Sequence, residues 1–284
     1  MSRPRAFDKN RRSDVDDPLQ PFAEALRERA PSREALLVEG KAMTESRRKR
    51  KKTAYTGMLV LAFSAATWLL DPAWYHEDIH VAIGQRQQLQ LADGSRVELN
   101  SGSHLIIEKR LRSRQLELRH GQALFSVVHA DTPFIVRSQG VSVRDIGTVF
   151  DVRSDARGVD VGVVEGAVEV SSDRTAAVRL NVGQQLRASS AQVGEVRPVD
   201  VAALTAWRQD KLRFDGTPLR EVIADLQHYR RKPLRLADAQ IGELRLSGEF
   251  DSGSVEALIG LLPTILPVSI ARAADGTVSF SKIR

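Results

Sequence analysis

The chain has 284 residues, of which 42% are hydrophobic and 27% charged, with a formal charge of +6 and no cysteine. Such a composition is globular in class, and the missing cysteine excludes disulfides, thiolate catalysis and zinc–cysteine sites. Residues 1–52 hold 15 Lys and Arg against 9 Asp and Glu, whereas residues 71–284 hold 27 against 27, so the basic surplus belongs to the first segment and direct nucleic-acid binding is not expected.

Ser2 to Asp17 is polar and charged and reads as disordered. Asp17 as N-cap and Pro18 at the first helical position, followed by Leu19, Phe22, Ala23 and Leu26, predict an amphipathic helix that ends before Pro31. Ser32-Arg33-Glu34-Ala35 opens a second short helix carrying Leu36, Leu37 and Val38. Two such helices bury little alone, so they are either a stem or a partner-binding element.

Arg47-Arg48-Lys49-Arg50-Lys51-Lys52 is followed at once by the uncharged stretch Thr53 to Leu70. An apolar helix of about 18 residues rises about 27 Å, close to the hydrocarbon thickness of a bilayer. The basic run sets the direction, with residues 1–52 inside and everything after Asp71 outside. A cleaved signal peptide fits less well, because the segment starts some 50 residues in and ends on Leu69-Leu70-Asp71-Pro72 without a small-x-small site. A core helix fits least, since Met58, Leu59, Leu61, Phe63, Trp68 and Leu69 leave no polar face.

From Ile79 to Val199 short alternating runs are punctuated by glycines. Gln88 to Ala92 and Arg96 to Leu99 flank Asp93-Gly94, a hairpin signal. Further strands are expected at Leu105 to Glu108, Gln115 to Leu118, Leu124 to Val128, Phe134 to Ser138 and Val141 to Asp145. Others are expected at Thr148 to Arg153, Val159 to Val164, Ala167 to Ser171 and Val178 to Leu180, for an all-β domain of around ten strands.

Beyond Trp207 a weak repeat of 36 residues runs from Phe214 to Phe250. Each unit is a strand (Leu212-Arg213-Phe214-Asp215-Gly216; Leu246-Ser247-Gly248-Glu249-Phe250-Asp251) and then an amphipathic helix. Leu219, Val222, Ile223 and Leu226 mark the first helix, and Val255, Leu258, Ile259 and Leu262 the second. Leu234 to Leu236, Val268 to Ala271 and Thr277 to Ser281 supply the remaining strands of a small α+β module of two helices on a short sheet.

Catalytic signatures are missing: there is no Gly-x-Ser-x-Gly elbow, phosphate loop or dinucleotide fingerprint. His76 and His80, with Glu77 and Asp78 between them, share ligand spacing but read as solvated residues of a linker, and His104, His120, His129 and His228 stand alone. Asp145, Asp151 and Glu165 lie near glycines and read as turn residues, and Arg230-Arg231-Lys232 as cations at a helix C-terminus. No enzyme, cofactor or metal site is expected.

A series of phrases in the strand-rich region resembles the FecR family of transmembrane sigma-factor regulators. They are Leu91-Ala92-Asp93-Gly94-Ser95-Arg96-Val97-Glu98-Leu99, Leu116-Glu117-Leu118-Arg119-His120-Gly121-Gln122-Ala123-Leu124-Phe125, Thr132-Pro133-Phe134-Ile135-Val136, Ile146-Gly147-Thr148-Val149-Phe150-Asp151-Val152-Arg153, Val163-Val164-Glu165-Gly166-Ala167-Val168 and Val182-Gly183-Gln184-Gln185. The last module is similar to the short N-terminal domain of secretins and TonB-dependent receptors, through Leu219 to Leu226 and Val255 to Leu262.

These resemblances imply a single-pass protein of the bacterial inner membrane with a cytoplasmic N-terminal segment (1–52) and a transmembrane helix (53–70). A FecR-like all-β periplasmic domain (77–199) and a βαβ-repeat α+β domain (207–284) would follow. The implied function is anti-sigma regulation of an extracytoplasmic-function sigma factor in response to a TonB-dependent outer-membrane receptor for iron-siderophore or haem uptake. Stepwise cleavage by periplasmic and membrane-embedded proteases is implied as well. The family's sigma-binding segment is longer and carries Trp, whereas here no Trp precedes Trp68. Sigma-factor contacts then fall on Leu19, Phe22, Leu26, Leu36 and Leu37, and the receptor-binding region on Leu219, Val222, Leu226, Val255 and Leu258. The alternative is a membrane-anchored periplasmic assembly or docking protein without sigma-factor activity.

Overall fold

No proline interrupts residues 32–70, and they form one continuous helix rather than a short helix followed by a separate crossing. The computed structural model describes residues 22, 32–110 and 112–283, divided into a unit ending at Leu70 and a second unit, Asp71–Arg284. Helix α1 (Arg33–Leu70) has 38 residues, and the isolated Gly57 costs it only about 1 kcal/mol. Its Arg50–Leu70 portion, 21 residues of mean hydropathy 1.4, is long and apolar enough to cross a membrane, and none of it is buried against protein. The hydroxyls of Thr56 and Thr67 donate to the carbonyls of Lys52 and Phe63, which satisfies them without water. Asp71, in the left-handed region, and Pro72 end the helix.

In the second unit thirteen strands form one hydrogen-bonded sheet folded into two layers. They are β1 (Tyr75–His80), β2 (Gln87–Gln90), β3 (Arg96–Leu99), β4 (His104–Lys109), β5 (Arg114–Ser126), β6 (Phe134–Ser138), β7 (Val141–Asp145), β8 (Val149–Asp155), β9 (Gly158–Glu165), β10 (Ala167–Ser172), β11 (Thr175–Asn181), β12 (Gln184–Ala188) and β13 (Arg197–Pro198). The hairpin expected at Asp93-Gly94 forms, pairing Gln87 with Leu99 through Gln90 with Arg96. Two strands expected at Gln115 to Leu118 and Leu124 to Val128 are instead the single strand β5.

The first half of β5 pairs with β4 and, in parallel, with β6; its second half pairs with β3 and β8. Gly121 lies at the changeover with φ +94°, where a Cβ would sit 2.5 Å from Ser103 Cα, so only glycine lets one strand serve both layers. Phe125 stacks on Phe150 at 5.2 Å and meets Phe134 edge-on at 6.2 Å, which joins the two layers in one core. All three rings are buried, each stabilising the fold by roughly 2–3 kcal/mol. β1 and β12 escape the hydrophobic pattern because their sequences, Tyr-His-Glu-Asp-Ile-His and Gln-Gln-Leu-Arg-Ala, bury few residues.

Helix α2 (Val201–Thr205) leads into a separate core. β14 (Lys211–Pro218) and β16 (Arg245–Asp251), the two repeat strands, pair antiparallel, Leu212 opposite Phe250. β15 (Leu234–Leu236), β18 (Val278–Lys282) and β17 (Val268–Arg272) form a three-stranded sheet. The module therefore has two small sheets where one was expected. Helices α3 (Leu219–Gln227) and α4 (Val255–Ile265) fill the space with the predicted apolar stripes. Arg230 is a tie as well as a helix-end cation, pairing with Glu256 and donating to the Gly276 carbonyl at 2.8 Å.

Candidate functional site

Of the proposed sigma-factor contacts, Leu19 and Leu26 lie outside the described residues, as does the helix expected from Asp17 to Pro31 apart from Phe22. The side chain of Leu36 is also outside that description. Phe22 is 72% exposed and Leu37 59%. The residues expected to mark the receptor-binding region, Leu219, Val222, Leu226, Val255 and Leu258, are all buried in the module's own core. The helical spacing that made them conspicuous is the spacing of residues facing a sheet. On α4 the exposed apolar side chains are Leu261 and Ile265 instead.

The most chemically unusual part of the second unit is the joint between the β-layers and the α+β module, around a cavity of about 390 Å³. Arg153, on β8, forms an ion pair with Asp225 on α3, and its Nε donates to His228 Nε2 at 3.2 Å. Its Nη2 lies 3.3 Å from Asp155, which also holds Arg157 at 2.6 Å. Asn100 Nδ2 donates to Tyr229 Oη at 2.8 Å, and the Ser101 hydroxyl to the His228 carbonyl at 2.7 Å. At the other edge Arg86 pairs with Asp210 at 2.7 Å, and Arg208 with Glu98 at 2.7 Å. The approach is close because Gly162, on β9, has no side chain: a Cβ there would meet Leu204 of α2 at 2.8 Å.

Asp151 is no turn residue, as its place near Gly147 suggested, but lies 3% exposed within β8. It accepts from Gln122 Nε2 at 3.0 Å and from the Trp207 indole at 3.3 Å. Burial pushes its carboxyl up to about 7, against the pull of those two donors and of Arg153. His228 is pushed the other way, down to about 3, by burial and then by the Arg153 charge, so it is a neutral acceptor. Burial works against the Arg153 charge, but Asp225, Asp160 and Asp155 outweigh it and hold the guanidinium protonated. Asp155 is drawn down to about 2, burial being overcome by Arg157. Tyr229 is pushed up to about 12 by burial.

The joint thus contains charges that are paired between the β-layers and the segment from Arg208 to Asp225, plus one buried carboxyl, Asp151, held by neutral donors. That arrangement ties the β-layers to the α+β module through paired side chains. In the sequence His228 stands alone and Arg153 is one residue of a phrase; both become informative where β8 and α3 meet. Asp145 does act as a turn residue, accepting from Gly147 N at 2.9 Å. Among the described residues, Asp78, His80 and His104 bring three metal-capable side chains together.

Comparison with known proteins adds to this geometry. Residues 77–169 match the family model described as "FecR protein". Two crystal structures of a candidate anti-sigma factor from Parabacteroides distasonis ATCC 8503 are similar to this chain at 27% identity. One has a TM-score of 0.63, covering 73% of this chain and 99% of that one, and the other a TM-score of 0.62, covering 72% and 99%. Residues 77–199 make up only about 43% of the sequence, so the likeness extends beyond the strand-rich region. No curated protein matches the chain. The match over residues 77–169 gives the chain a FecR domain.

Proposed function

We propose that this chain regulates an extracytoplasmic-function sigma factor from the bacterial inner membrane. The FecR domain carries the reading, and the likeness to a candidate anti-sigma factor supports it. In this reading residues 1–52 are cytoplasmic and hold the sigma factor through Leu19, Phe22, Leu26, Leu36 and Leu37. Residues 53–70 cross the membrane, in line with the uncovered apolar helix Arg50–Leu70. Residues 77–199 and 207–284 are the periplasmic parts. The signalling domain of a TonB-dependent receptor for iron-siderophore or haem uptake meets the region of α3 and α4 marked by Leu219, Val222, Leu226, Val255 and Leu258, where α4 also exposes Leu261 and Ile265. Displacement of the module strains the Arg153–Asp225 joint, and periplasmic and membrane-embedded proteases then release the cytoplasmic piece.

The test is co-purification of the full chain, in detergent, with the sigma factor encoded beside its gene, for the native protein and for Phe22→Asp. An aspartate in an apolar helical anchor is expected to weaken the complex at least tenfold, since each 1.4 kcal/mol lost is a factor of ten. No complex with the native chain, together with unchanged sigma output when the gene is deleted, would sink the regulator reading and leave the docking role without sigma-factor activity.

A further inference from the structure

The strand that follows the apolar helix carries a feature unrelated to the joint. His76, Asp78 and His80 alternate along β1 and so project from one face of it. β1 pairs with β4 in a register that sets His80 directly opposite His104, and β4 pairs with β5 so that His104 stands opposite His120. Three neighbouring strands thus present three imidazoles in a row. The His80 and His104 rings stack with centroids 3.9 Å apart, and His120 meets His104 edge-on at 5.7 Å. Asp78 Oδ1 lies 2.6 Å from His104 Nε2. One donor atom each from Asp78, His80 and His104 falls within 4.8 Å of the others.

We propose that Asp78, His80 and His104 bind a borderline divalent transition-metal ion, of the class of Zn²⁺, Ni²⁺ or Cu²⁺, with His120 in reach as a further ligand. Two imidazoles and a carboxylate are the donor set that such ions take, and hard ions such as Mg²⁺ or Ca²⁺ favour all-oxygen sites. Asp78 and His80 are exposed and His104 keeps 19% of its side chain in solvent, so an ion can enter and water can complete its coordination. The opposed strand positions hold the ligand backbones at cross-strand spacing, and only side-chain rotation is needed to converge the donors.

The site would tie β1 to β4. β1 is an edge strand with a single buried side chain, Ile79, and follows α1 after the four residues 71–74. The segment before it is already fastened to the sheet: Asp71 accepts from the Ser113 hydroxyl at 2.6 Å and from Arg112 N at 2.9 Å, and Trp74 N donates to the Lys109 carbonyl at 3.1 Å. A metal bridge at the other end of β1 would clamp the strand along its whole length. The ion would therefore strengthen the attachment of the strand that follows the apolar helix in the chain to the rest of the sheet.

The test uses the full chain in detergent, made without a histidine tag and stripped with chelator, titrated separately with Zn²⁺, Ni²⁺ and Cu²⁺ by calorimetry. One equivalent is expected for at least one of the three ions, with slower amide exchange across Tyr75–His80 on binding. His104→Gln and Asp78→Asn should each weaken binding at least tenfold, while His76→Gln, which removes the ring paired with Glu108 at 3.7 Å, should change it less than about threefold. Each variant, metal-free, should melt with the native protein, which separates lost ligation from lost folding. Failure of all three ions to bind, or affinity unchanged in both His104→Gln and Asp78→Asn, overturns the proposal. Binding is read without any sigma-factor assay, so this outcome is independent of the regulatory reading.

Discussion

Arg153 joins β8 to α3, and its loss should loosen the α+β module from the β-layers more than any surface change nearby. Removing one partner of a buried ion pair costs about 3–5 kcal/mol, because the other charge stays buried without compensation. Here the pair is only mostly buried, with side-chain exposures of 14% for Arg153 and 24% for Asp225, and Arg157 remains 3.9 Å from the carboxylate. Arg153→Met is therefore expected to cost roughly 2–3 kcal/mol, which includes the lost donor to His228. Asp225→Asn should cost about 2 kcal/mol, since Arg153 keeps Asp155. If the interaction is direct, the double variant loses less than the sum of the two, by about 1.5 kcal/mol or more. Urea unfolding of the full chain in detergent, followed by tryptophan fluorescence, measures all three. Trp207 is 4% exposed at this joint, whereas Trp68 and Trp74 are exposed, so the change on unfolding reports the joint. Additive losses, with a coupling below about 0.5 kcal/mol, would refute the view that this pair holds the two parts together.

The same joint makes two opposed pH dependences. Asp151, raised from 3.8 to about 7 in the folded chain, contributes stability that is full below the unfolded value and lost as pH rises towards 7. His228, lowered from 6.5 to about 3, costs stability as pH falls from 6.5 towards 3. Between about pH 4 and 6.5 the two nearly cancel, so denaturant stability should be flat there. Asp151→Asn should then rise with pH by up to about 1.4 kcal/mol per unit, and His228→Gln should fall by as much. Slopes of the same sign in both variants would contradict these assignments. Gly121→Ala places a Cβ 2.5 Å from Ser103 Cα at φ +94° and should destabilise the chain by at least about 2 kcal/mol. Gly84→Ala, also at positive φ but with open space around it, should cost only about 1 kcal/mol; equal losses measured by urea unfolding would mean that the bend in β5 is not what Gly121 provides.

Much of the architecture is legible in the residues because its causes are local. Asp93-Gly94 makes a hairpin wherever alternating strands flank it, and the uncharged stretch to Leu70 forms an uncovered apolar helix by length and composition alone. The stripe of Leu219, Val222 and Leu226 marks a helix for the same reason, but a stripe reports only that one face is covered. That those residues pack in the core of their own module was a tertiary outcome. The charge split, the FecR phrases and the repeat from Phe214 to Phe250 likewise come from the chain itself.

Tertiary structure alone decided which distant residues meet. A strand's alternation says which face a side chain takes but nothing of its neighbour across the ladder, so His80 and His104, unconnected in the sequence, become a pair only through the register of β1 on β4. Arg153 and Asp225 lie in separate modules, and their pairing needs the closeness that Gly162 allows. Burial, too, is a property of the assembled core: Asp151 looked like a turn carboxylate until Gln122 and Trp207 closed over it and water was excluded. The sequence by itself determined most of the elements, the membrane-compatible helix and the FecR-like phrases; packing determined the joint and the histidine row, because contact between residues far apart in the chain depends on register and close approach, which no local pattern encodes.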